Sequence, residues 1–207
     1  MSLTISESGN KERLPLIPEG TYVGICNMLV DLGLQYSEQY DRSTRKVLVG
    51  WELPEELCEI KGETVRRTIT QRYTASLNEK STLRRDLIAW RGRDFTADEL
   101  SAFNLRSIVS APCMLQIIHR EFNGKTYASI AGIMKLPKGM PRPELVDEAV
   151  VYDIDEDELS KADTLPEWIK EIVKGSESYQ EKCKQQLSAD LGDDFKPYEG
   201  CEDDVPF

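Results

Sequence analysis

Apolar residues recur along this 207-residue chain with two different periods. Between Gly20 and Leu136 the period is mostly two. In TYVGICNMLVDLGLQY, residues 21–36, Val23, Ile25 and Leu29 share one parity, and Tyr22, Cys26, Met28, Val30 and Leu32 share the other. Both faces are largely apolar, as in a long strand that bends and serves a barrel on both sides. Arg45 to Leu53 predicts a second strand, with Val47, Val49, Trp51 and Leu53 on one face. Pro54 is expected to end it, and residues 55–64 to form an acidic loop. Arg66 to Leu77 predicts a third strand. Arg66, Thr68, Thr70, Arg72 and Thr74 lie on one face of it, and Arg67, Ile69, Gln71, Tyr73 and Ala75 on the other.

The period then changes. Leu83, Leu87 and Trp90 fall at helical spacing, and Gly92 is placed for a helix stop. Thr96 to Glu99 reads as a capping box, which predicts a short helical turn through Phe103. Two further strands are expected over Cys113 to Phe122 and Thr126 to Leu136. The Asn123-Gly124 pair between them is a strong hairpin signal. Pro137 to Pro143 breaks regular structure. Beyond it Asp153 to Glu158 is an acidic run, and Leu165, Trp168, Ile169, Ile172 and Val173 form one helical stripe, with Trp168 expected to be buried. From Gly175 onward the chain is polar and largely aperiodic.

Strand, strand, strand, helix, strand, strand predicts a mainly β protein. The expected fold is a five-stranded oligonucleotide-binding (OB) barrel with its helix between strands three and four. The expected organisation is an arm over residues 1–18, the barrel over 19–140, an acidic segment with one amphipathic helix over 141–175, and a flexible acidic tail over 176–207.

Charge sharpens this division. Residues 1–140 carry 19 basic and 17 acidic groups, and residues 141–207 carry 7 and 20. A mildly basic body is thus joined to a strongly acidic tail, which suggests a body that meets an anion. Five scattered cysteines without a close pair argue for free thiols, and a single histidine, His119, argues against a zinc site or a histidine-based triad. No phosphate-binding glycine loop, HExxH or GxSxG is present. The expectation is a non-enzyme without cofactor or metal. No apolar run is long enough to span a bilayer and none reads as a signal peptide, so a cytoplasmic location is expected.

Single-strand binding uses cations for phosphates and aromatic faces for bases. Candidate residues on the strands and loops of the barrel are Arg45, Lys46 and Trp51, then Arg66, Arg72 and Tyr73, and finally Lys125 and Tyr127. Tyr36 and Tyr40 stand in the first polar turn. Trp51 and Tyr73 share faces with aliphatic residues, so strand parity leaves them open between base stacking and core packing. Arg66 and Arg72 share a face with three threonines, which suits a sugar–phosphate chain.

Two resemblances follow from particular stretches. LPEGTYVGICNMLVDLG, NEKSTLRRDLIAWRGRDFT and GKTYASIAGIMKLPKGM are similar to blocks of a phage-encoded family and imply a place in phage DNA metabolism. The last residues, Asp203, Asp204, Val205, Pro206 and Phe207, resemble the acidic tips of bacterial and phage single-stranded DNA-binding proteins. That resemblance implies single-stranded DNA as ligand, replication or recombination proteins as partners of the tip, and self-association as a homodimer. The alternative is a barrel that serves as a protein-interaction adaptor or virion component without nucleic-acid binding.

Overall fold

A computed structural model describes residues 14–60 and 62–190. The expected acidic tip, Asp203 to Phe207, lies outside the described residues. The sheet strands are β1 (Gly20–Ser37), β2 (Arg42–Ile60), β3 (Glu63–Thr74), β4 (Pro112–Phe122), β5 (Lys125–Lys135) and the short β6 (Val150–Tyr152). The helices are α1 (Thr82–Arg91), α2 (Ala97–Ser101), α3 (Glu167–Lys174) and α4 (Glu177–Asp190). The protein is mainly β, with one six-stranded sheet in the order β3-β2-β1-β4-β5 and β6 beside β1. β1 with β4 and β4 with β5 are antiparallel.

The described residues form two compact units. The first runs to Val30 and resumes over Val47–Val151, and the second takes Asp31–Lys46 and the chain from Tyr152 on. The division is therefore not a single cut in the sequence, because the middle of the β1–β2 hairpin belongs to the second unit.

In the first unit the odd positions of β2 (Val47, Val49, Trp51 and Leu53) are buried with Cys26, Leu115 and Ile117 of β1 and β4. α1 adds Leu83, Leu87 and Trp90, the three positions its spacing marked. Trp51 and Trp90 rings stand 5.7 Å apart and tilted, within the range of favourable aromatic pairs. Gly92 ends α1 in the left-handed region. Thr96 and Glu99 close the predicted capping box, with each side chain accepting the other residue's backbone N–H.

Glu99 also accepts hydrogen bonds from Arg91 and Arg93. Arg93, then the Thr96 amide and Arg91, hold its carboxyl down at about 2, against an ordinary value of 4.5. A depressed acid stabilises the folded state above its unfolded pKa, and that contribution is lost as pH falls through the folded one. Protonation of Glu99 and release of the α2 cap are therefore expected between about pH 4.5 and 2. A carboxyl carbon NMR titration with a midpoint near 4.5 would contradict this.

Three elements differ from expectation. β2 does not stop at Pro54 but continues to Ile60, and Gly62 turns the chain into β3 with φ of +84°. A strand tolerates proline where no ladder bond requires its missing N–H. Residues 55–59 alternate between exposed and half-buried, a strand period that three glutamates disguise as loop composition. Trp168 is 44% exposed rather than buried, because Leu165, Ile169 and Val173 alone carry the buried stripe of this segment.

Where a flexible tail was expected from residue 176, residues 191–207 lie outside the described residues and Glu177–Asp190 form the 14-residue α4. Its start is set by Ser176, only 1% exposed, whose hydroxyl accepts the Tyr179 N–H at 3.2 Å. Lys182 then donates to the carbonyls of Asp155 and Asp157 at 3.2 and 2.9 Å. Gly33 sits opposite the same cap. At its φ of +70° any side chain is strained, and a Cβ there would lie 2.6 Å from Ser176 Oγ and 2.8 Å from Ile154 Cδ1. Gly33→Ala is expected to cost about 1–2 kcal/mol from the backbone alone. The predicted readout is faster hydrogen exchange in α4, and unchanged exchange would count against this packing.

Candidate nucleic-acid interface

The β4–β5 hairpin carries the clearest exposed arrangement in the first unit. Its two-residue turn has Asn123 at φ of 50° and Gly124 at 69°. Positive φ at both positions matches the right-handed twist of the flanking strands. This turn sets the register, pairing Phe122 with Lys125, Arg120 with Tyr127, and Ile117 with Ile130 further along. Directly paired residues share a face. Ile117 and Ile130 face the core, so Arg120, Phe122, Lys125 and Tyr127 all stand on the opposite, outer face.

All four are exposed, Phe122 by 69% and Tyr127 by 47%. The two cations and two rings alternate across the pairing, so each ring has a cation opposite it. Neither Arg120 nor Lys125 has an ion-pair partner among the described residues. Glu121 points to the other face, paired with Thr126. A single exposed ring is ordinary, whereas two rings interleaved with two uncommitted cations offer both a stacking surface and phosphate contacts.

Lys125 and Tyr127 were legible as candidates, but Arg120 and Phe122 were missed. The signal was present: a two-residue Asn-Gly loop forces 122 opposite 125 and 120 opposite 127. His119, one residue before, is structural. Its ring Nε2 lies 2.8 Å from the Ile17 carbonyl, which ties the N-terminal arm to β4.

The other candidates divide by environment. Trp51 is fully buried and Tyr73 is 4% exposed. Tyr73 donates its hydroxyl to Asp86 at 3.1 Å, and burial pushes its phenol well above the ordinary range. Both rings are closed to a base, so the structure selects the core packing that strand parity had left open. Arg66 donates to Glu52 Oε1 at 2.7 Å and to the Glu144 carbonyl at 2.8 Å, so its donors are committed internally. Arg72 remains exposed on the same face of β3, beside the exposed Thr68 and Thr74.

In the second unit Arg45 is committed to Asp31 and Asp155, and the Asp31 carboxylate raises its pKa. Lys46 is half-buried. Tyr36 and Tyr40 are 57% and 65% exposed, as their place in a polar turn suggested. Tyr36 donates to Asp41 at 2.7 Å, and the Arg42 guanidinium lies 5.8 Å from the centre of the Tyr40 ring. This turn is a second exposed pairing of cation and aromatic.

Among the described residues no cluster of His, Cys, Asp and Glu could hold a metal ion, and no helix is long and apolar enough to cross a membrane. No protein-family model matches the chain, and no curated protein matches it.

Proposed function

We propose that this chain binds single-stranded DNA without strong sequence preference, through the outer face of the β4–β5 hairpin. The observation that carries the reading is the alternation of Arg120, Phe122, Lys125 and Tyr127 on one exposed face, with neither cation in an ion pair among the described residues. Phosphates take the cations and bases stack on the rings, and neither contact reads sequence. Arg72 on β3 is a further phosphate contact.

An OB-type barrel is the fold that goes with this role. The strand order, the position of α1 between β3 and β4, and the mutual contact of β3, β5 and α1 all support it. The acidic stretch Asp203 to Phe207 would recruit replication or recombination proteins of a phage, and a homodimer is the assembly that goes with the resemblance. The test is a double charge reversal, Arg120→Glu with Lys125→Glu. Loss of oligothymidine binding with an unchanged circular dichroism spectrum is expected. Retained affinity would contradict the assignment of the face.

A further inference from the structure

A cleft of about 740 Å³ opens in the first unit, away from the hairpin turn. The end of α1, Phe103 and residues 107–112 line one side, and the end of β5 with the loop after it, residues 135–140 and Arg142, lines the other. Its lining holds four cationic side chains, Arg91, Lys135, Lys138 and Arg142, and no carboxylate. This occurs in a chain of formal net charge −11. Cations of one sign along a low-dielectric wall focus potential and raise the local concentration of an anion.

Two details point to an incoming acceptor. Lys135, Lys138 and Arg142 have no ion-pair partner among the described residues. Arg91 is held between the Phe95 and Phe103 rings, 4.4 and 5.1 Å from their centres, and its Nη2 bonds Glu99. Its Nη1 is buried without a hydrogen-bond partner among the described residues. Orphaned donors of this kind are rare in folded proteins and call for an explanation. The one carboxylate beside it, Glu99, is divided between Arg91 and Arg93.

We propose that this cleft is a second phosphate-binding segment for the same single strand, with Lys138 and Arg142 as its mobile contacts and Arg91 as its fixed one. This rests on the single-strand reading above. Lys125 begins β5 on the outer face and Lys135, paired with the buried Cys113, ends it on the core face, so the two places lie at opposite ends and on opposite faces of one strand. Ten residues at about 3.4 Å each set the two roughly 34 Å apart along the strand. A nucleic-acid strand that reaches both would cross from the outer face to the cleft at the end of β5, meeting bases and phosphates at the hairpin and phosphates alone at the cleft.

The experiment is the salt dependence of oligothymidine affinity for the full chain and for Lys138→Ala with Arg142→Ala. Both residues are exposed and outside regular structure, so the fold is preserved. Each single-strand phosphate contact contributes about 0.7 to the slope of log K against log salt. The double variant is therefore expected to lose about 1.4 from that slope. An unchanged slope in a chain that binds the strand overturns the cleft assignment alone. Failure of the unaltered chain to bind any single strand overturns the single-strand reading as well. A retained slope together with lost binding of polyglutamate assigns the cleft to an acidic polypeptide and overturns the proposal.

Discussion

Replacing Trp51 with alanine is expected to destabilise the first unit by about 3–5 kcal/mol, the usual range for truncating a large buried aromatic. The ring is fully buried and packs on Trp90, and Leu53, Val49 and Leu115 belong to the same core cluster. Removing it opens a cavity between the sheet and α1 that neither side can fill. Denaturant unfolding followed by tryptophan fluorescence measures the loss. The effect matters for function because Trp51 sits on a strand that a single-strand-binding barrel would use. Its indole N–H has no acceptor among the described residues, so Trp51→Phe removes an unsatisfied donor along with part of the ring. That variant is expected to cost less and to bind oligothymidine as well as the parent. If Trp51→Phe lost binding while keeping its stability, the ring would have to reach the nucleic acid, and the core assignment would be wrong.

The opposite behaviour is expected at the hairpin. Changing Phe122 and Tyr127 together to alanine removes two exposed rings that fill no core position. Stability is expected to move by no more than about 0.5 kcal/mol, as for other surface changes. Single-strand affinity is expected to fall by about 1–3 kcal/mol for each ring that stacks on a base. The salt slope should stay unchanged, because the rings contact no phosphate. Fluorescence anisotropy with labelled oligothymidine at two salt concentrations separates the two terms. Equal affinity for parent and variant would remove the rings from the interface.

Much of the fold was readable from local pattern, and each failure has a physical cause. Leu83, Leu87 and Trp90, the Gly92 stop, the Thr96–Glu99 cap and the Asn123-Gly124 turn each depend on residues within one or two turns of chain, and each appears as expected. The extension of β2 past Pro54 was hidden because the adjacent Glu55 and Glu56 and the exposed Leu57 break the polar–apolar alternation, although burial alternates along the strand. α4 was hidden because its burial comes down to Ser176 and Tyr179 at one end, and its other contacts depend on distant carbonyls that only tertiary structure brings to Lys182. Trp168 looked buried because its spacing placed it on the edge of an apolar stripe, and an edge position is decided by packing rather than period.

The candidate site divides along the same line. Whether Trp51 and Tyr73 point inward is a property of the closed core, which parity narrows to two choices. Whether Arg66 is free depends on the Glu144 carbonyl 78 positions along the chain. No local pattern could show that this arginine is already occupied. The pairing of Arg120 with Tyr127 follows from the turn and could have been read in advance.

The measurement closest to the central claim is a side-by-side titration of labelled single-stranded and duplex oligonucleotides of the same sequence and length with the full chain at low salt. The account predicts saturable binding of the single strand, weaker binding of the duplex, and loss of the single-strand signal as salt rises. No single-strand binding at low salt, or tighter binding of the duplex, would contradict it.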